Sequence, residues 1–112
     1  MAEDWPDTAP SPRMLIAQIR AIARRDDGSV LIRGHAEERL RERGLNDRDL
    51  MRGLVIGDIE GSIRPGAFQD EWECEVVFPS SEERGSRNIA AVTIVMADDR
   101  LRIKTVMWKD RR

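Results

Sequence analysis

The chain has 112 residues, 40% of them hydrophobic and 36% charged, which supplies one core under a densely charged surface and leaves no room for a second domain. Nineteen Lys and Arg against 21 Asp and Glu give a net charge of −2, so the overall basic signature of a nucleic-acid binder is missing. A single cysteine, Cys74, excludes an internal disulfide framework and a zinc ribbon, and the longest apolar run, Ile89 to Ala97, covers nine residues where a membrane-spanning helix needs about 20.

Residues 1–11 (MAEDWPDTAPS) are rich in acids and proline and lack periodicity. They read as a flexible lead-in with Trp5 as an anchor, and their acidic start, unlike a signal peptide, points to a cytoplasmic protein. Ser11-Pro12 then pairs an N-cap with proline at the first helical position. Leu15, Ile19 and Ile22 recur at helical spacing behind it, so a first helix runs to about Arg25, with Arg24 and Arg25 at the negative end of its dipole. Asp27-Gly28 is a turn, and Val30-Leu31-Ile32 a short β-branched strand. A second helix runs from His35 to about Arg43, preceded by Gly34 and stopped by Gly44. Asn46 caps a third, with Asp49 three residues on in a capping-box arrangement and Leu45 and Leu50 placed as a hydrophobic staple. Leu50, Leu54 and Val55 form its buried stripe, and Gly57 closes it.

From Asp58 the period changes from helical to two. Ile59 and Ile63 lead to a Pro65-Gly66 turn. Trp72, Cys74, Val76 and Phe78 alternate with Glu71, Glu73, Glu75 and Val77, a strand with one buried face that makes Cys74 a core residue. After a polar loop from Pro79 to Ser86, Asn88 to Met96 is apolar on both faces and reads as a central strand. Asp98-Asp99 turns the chain into the last strand, Leu101 to Trp108. Residues 12–109 thus read as a single α+β domain: two or three N-terminal helices packed on a three- to five-stranded, mainly antiparallel sheet. Residues 110–112 form a basic tail.

Two groups of residues could carry chemistry. His35, the only histidine, shares one side of its helix with Arg39 and Arg43, beside the apolar stripe of Ala36 and Leu40. That arrangement suits a general base or acid next to a phosphate clamp. It equally suits a helix whose Glu38 and Glu42 neutralise the arginines while His35 caps. In the last strand, alternation puts Leu101, Ile103, Thr105 and Met107 on one face and Arg102, Lys104, Val106 and Trp108 on the other. A basic face ending in an aromatic is the combination that contacts a phosphodiester and stacks a base. The charges are also segregated. Residues 58–83 hold eight acids and one cation, and residues 100–112 hold six cations and one acid. The alternative is cross-strand pairing, in which Glu71, Glu73 and Glu75 neutralise Arg102 and Lys104. Seventeen of the 19 cations are arginine, which suits bidentate recognition of phosphate and is also what a biased genome would produce. One His, one Cys and scattered carboxylates give no metal-ligand spacing, so no metal or other cofactor is expected.

The string from His35 to Leu45 (HAEERLRERGL), followed by Asp49 and a turn at Gly57, resembles the H-A-x-x-R-[ML]-x-x-R-[GN]-[IL] signature of the bacterial domain of unknown function 4258. The ending Ile103-Lys104-Thr105-Val106-Met107-Trp108 resembles that family's terminal strand, and the likeness spans about residues 30–109. The family is similar to the RelE-like and BrnT-like ribonuclease toxins, a microbial-RNase-like fold of helices on an antiparallel sheet. The resemblance implies a metal-independent endoribonuclease of a toxin–antitoxin pair, with RNA as substrate and an antitoxin protein as partner. His35, Arg39, Arg43 and Thr105 match recurrent family positions. Strand geometry adds Lys104 to the catalytic group and Arg102 and Trp108 to the RNA contact. The first helix, outside the resemblance, would serve a homodimer or another partner, and no membrane association is expected. The competing expectation is a non-catalytic module that holds a protein or nucleic acid with the same sheet and arginines.

Overall fold

In the computed structural model, which describes residues 9–80 and 87–109, Ser11 opens the first helix as its sequence requires. The Met14 amide donates to Ser11 Oγ at 3.1 Å, and α1 (Pro12–Arg25) buries Leu15, Ile16, Ile19, Ile22 and Ala23 along one stripe. A three-residue strand, β1 (Val30–Ile32), precedes α2 (His35–Glu42). That helix ends as the Gly44 amide donates to the Arg41 carbonyl and the Leu45 amide to the Leu40 carbonyl. This pairing needs a left-handed residue, and Gly44 supplies it with φ +73°. Asn46 then starts α3 (Asp47–Ile56) with the capping box complete: the Asp49 amide donates to Asn46 Oδ1 and the Asn46 amide to Asp49 Oδ2, both at 2.9 Å. Trp5, the polar loop beyond Ser80 and the basic tail lie outside the described residues.

Four strands follow, β2 (Asp58–Pro65), β3 (Trp72–Pro79), β4 (Asn88–Val95) and β5 (Leu101–Lys109), and they complete a five-stranded sheet of order β1-β5-β4-β3-β2. The chain is therefore α+β, with three helices on a mixed sheet. All pairs are antiparallel except β1 with β5, which run parallel with Val30, Leu31 and Ile32 opposite Leu101, Arg102 and Ile103. As expected, β4 is central, and it is buried on both faces. The hairpin from β4 to β5 turns at Asp98-Asp99. It is tied back to α1 by Gln18 and Arg25, which donate to the Asp99 carboxylate at 3.0 and 3.1 Å.

The helices cover one face only. Ile19 and Ile22 of α1, Ala36 and Leu40 of α2, and Leu50 and Leu54 of α3 meet Cys74, Val76, Phe78, Ile89, Ala91, Val95, Leu101, Ile103 and Val106 in one core. Gly53 lets α3 lie flat on the sheet, because a Cβ there would fall 2.5 Å from the Phe78 ring. Cys74 belongs to this core, and its burial pushes the thiol up to about 12, so it stays protonated and unreactive at neutral pH.

The last strand departs from simple alternation. Val92 pairs with Thr105 but its neighbour Thr93 pairs with Ile103, so Lys104 is an extra residue in a β-bulge. The bulge reverses the faces beyond it. Leu101 and Ile103 point to the core, and after the inserted lysine Val106 and Trp108 do so as well. Arg102, Lys104, Thr105, Met107 and Lys109 are left on the helix-free face. The face predicted to carry Arg102, Lys104, Val106 and Trp108 together is thus split between both sides of the sheet.

Candidate functional site

The α2 group rides on the helical side of the sheet, where Ala36 and Leu40 anchor the helix in the core. His35 heads the helix and is exposed. It does not cap the helix, since the cap position belongs to Gly34. Among the described residues the His35 ring has no hydrogen-bond or ion-pair partner. Arg39 and Arg43 converge on a single carboxylate: Arg39 Nη1 donates to Glu42 Oε1, and Arg43 Nη1 lies 3.6 Å from the same oxygen. Glu42 thus performs the neutralisation that one reading of the sequence expected, and Glu38 takes no part among the described residues. Trp108 lies on this side too, half-buried against the core, with the Arg87 guanidinium 4.0 Å from its ring centre.

The opposite face is a lattice of ion pairs. Lys104 Nζ donates to Glu73 Oε1 at 3.3 Å, and Arg64 Nη2 to Glu73 Oε2 at 2.7 Å. Lys109 Nζ donates to Glu75 Oε1 at 2.8 Å, and Arg102 Nη2 to Glu71 Oε1 at 3.5 Å. The pairing of Glu71 and Glu73 with Arg102 and Lys104 is the arrangement that cross-strand neutralisation predicts. Glu71 stands just before β3, Glu73 on it, and Arg102 and Lys104 on β5, with β4 between: the register sets Val92 between Glu75 and Thr105, and Ile94 between Glu73 and Arg102. Val92 and Ile94 are only 7% and 4% exposed with no described helix above them. Arg64, then Lys104, hold the Glu73 carboxyl below its ordinary range against the opposing effect of burial, and Glu75 holds the Lys109 ammonium above its own.

One concavity interrupts this lattice. Where β1 stops after Ile32 and β5 runs on, a cavity of about 320 Å³ is lined by Leu31, Arg33, Arg102, Ile103 and Lys104. Leu31 and Arg102 are opposite each other in the parallel register; the lining joins apolar Leu31 and Ile103 to three cations, of which Arg102 and Lys104 also meet Glu71 and Glu73. Arg33 is exposed and has no ion-pair partner among the described residues. Lys104 is exposed, and its pair with Glu73 is the kind that contributes about 0.2–1 kcal/mol and exchanges readily, whereas Arg102 reaches the buried Glu71 at 3.5 Å. Chemically the cavity suits an anion attached to a flat apolar group.

The predicted residues therefore divide. Arg102 and Lys104 meet at the cavity, Thr105 shares their face, and His35, Arg39, Arg43 and Trp108 belong to the helical side. Only Arg33 and His35, two residues apart at the turn from β1 into α2, connect the two groups. The sequence does not mark Leu31 and Arg33 as site residues, because that role depends on β1 pairing with a strand 71 positions downstream. The matched apolar–basic alternation of Leu31-Ile32-Arg33 and Ile103-Lys104 was the one available signal, and it is faint. Comparison with family models, with curated proteins and with solved structures returned no match.

Proposed function

We propose that this protein binds the phosphate backbone of RNA at the cavity between β1 and β5. The observation that carries the reading is the lining of three cations beside apolar Leu31 and Ile103, with Arg33 free of any described carboxylate partner. Net charge is a poor guide to such a site, because a chain of charge −2 can still concentrate cations in one concavity. Arginine at two of the three rim positions favours bidentate contact with phosphate oxygens. Anisotropy of a labelled single-stranded RNA decamer, titrated over a salt series, tests the proposal. Arg33→Ala should weaken binding and lower the salt slope by about one. Undetectable RNA binding at low salt, or equal binding by wild type and Arg33→Ala, refutes it.

A second reading adds cleavage, and a specific observation favours it: His35 is exposed, unpartnered among the described residues, and two residues from Arg33. In this reading the protein is a RelE-like, metal-independent endoribonuclease toxin, as the resemblance of His35–Leu45 to domain of unknown function 4258 implies. An RNA 2′-oxygen would attack the adjacent phosphorus, losing its proton to His35. The 5′-oxygen would leave with a proton from solvent, and a 2′,3′-cyclic phosphate would remain. Growth arrest on expression, relieved by His35→Ala while RNA binding persists, is the expected outcome. Unchanged growth together with intact RNA in the presence of purified protein leaves the binding module as the reading.

A further inference from the structure

The loop between β2 and β3 presents an aromatic ring on a backbone joined through Glu71 to Arg102 of the cavity rim. The Gly66 amide donates to the Glu71 carbonyl at 2.7 Å, and the Glu71 amide to the Phe68 carbonyl at 3.2 Å. Gly66 packs against Glu71 so closely that a Cβ would fall 2.7 Å from the Glu71 Cβ, so the loop is tightly folded. Its side chain of interest is nevertheless unburied: Phe68 is 67% exposed. An exposed phenylalanine adds little to the core, and a polar residue would fill such a loop position without leaving an apolar ring in water.

Glu71 links this loop to the cation rim. It is only 4% exposed, and its Oε1 accepts from the Phe68 amide at 3.4 Å and from Arg102 Nη2 at 3.5 Å. One carboxylate oxygen thus meets both the Phe68 backbone and the Arg102 guanidinium. A fixed aromatic next to a track of cations is the physical recipe for single-stranded nucleic acid: cations follow the phosphates, and the ring takes the face of a base. Duplex RNA keeps its bases stacked on each other and offers a loop side chain no free face. Trp108, to which the sequence assigned stacking, is on the other side of the sheet, half-buried and occupied by Arg87.

We infer that Phe68 stacks a base of single-stranded RNA whose backbone lies on Arg102, Lys104 and Arg33. The inference rests on the RNA reading above and specifies its ligand as unpaired. The test compares wild type, Phe68→Ala, Phe68→Leu and Phe68→Trp with a single-stranded RNA decamer and a duplex of equal length, with circular dichroism confirming that each variant is folded. Phe68→Ala and Phe68→Leu should both lose at least about fivefold in single-strand affinity, with the salt slope of wild type retained because no phosphate contact is removed. Phe68→Trp should bind as well as wild type or better. Leucine matters here because it keeps an apolar side chain without a ring face. Single-strand binding by Phe68→Ala or Phe68→Leu within twofold of wild type overturns the inference, as does wild-type binding of duplex as tight as that of single strand. If Arg33→Ala weakens binding and the Phe68 variants do not, stacking alone fails. If wild type binds no RNA, the RNA reading fails and stacking with it.

Discussion

On the helical side of the sheet, β4 presents Ile89, Ala91 and Val95 to the isoleucines and leucines of the three helices; on the other side the same strand sets Val92 between Glu75 and Thr105 and Ile94 between Glu73 and Arg102. Both sets are buried, by different means. Apolar burial between helix and sheet is strong, insensitive to salt and fixed in position. A roof of ion pairs is weak, screened by salt and exchangeable. The lesson is that one face builds the fold and the other, which gives up stability, keeps cations that can change partners. On the RNA reading proposed above, a phosphate would take the place of Glu73 on the exposed Lys104 without disturbing the core, while Arg102 would keep the buried Glu71.

The largest effects are expected on the helical side. Ile19 is fully buried in the core, and Ile19→Ala should cost about 2–5 kcal/mol in a denaturant titration. A cost near zero would mean that α1 is not part of the cooperative core. Gly53→Ala sharpens the same point, because helix propensity alone would make it stabilising by roughly 1 kcal/mol. The Phe78 ring stands 2.5 Å from the new Cβ, so a net destabilisation of about 1–3 kcal/mol is expected. It should shrink when Phe78→Leu is combined with it, as measured by a double-mutant cycle.

The weak side supplies the smallest effects. Lys104→Ala should cost less than about 1 kcal/mol, and the cost should fade as salt is added. Glu73 adds a pH signature. Its carboxyl is held below the ordinary value of 4.5, chiefly by Arg64, so the native state binds fewer protons than the unfolded chain in that range. The stabilisation is therefore fully present above the ordinary value and is lost as pH falls through the lowered one. Glu73→Gln should flatten this acid limb of the stability curve. An unchanged limb would show that the pairs on this face are without energetic effect.

Much of the architecture was legible because its signals are local. Ser11-Pro12, Gly44 and the Asn46–Asp49 box each specify a helix end within a few residues, and all three ends fall where they were expected. The alternation of Trp72, Cys74, Val76 and Phe78 likewise names its buried face directly. The β5 faces were misread because a bulge is invisible to periodicity: Lys104 adds one residue to the strand, and every side chain after it changes sides. The candidate site was half legible. Arg102 and Lys104 carry their charge in an apolar strand and attract notice. Leu31 and Arg33 acquire meaning only from pairing with a strand 71 positions on, and Phe68, though three residues from Glu71, only from the reach of Glu71 to Arg102, 31 residues further.

The parallel pairing of β1 with β5 also dictates an order of assembly. The chain makes Val30–Ile32 early, but their only strand partner among the described residues lies beyond residue 100, so this edge of the sheet closes after β5 has been made. The helices and the hairpins of β2, β3 and β4 can form from nearer neighbours in the meantime. The three-cation rim is consequently one of the last features to exist, and a nascent chain that stops short of β5 carries Arg33 without its companions. The binding proposed for this edge would thereby be reserved for the completed fold.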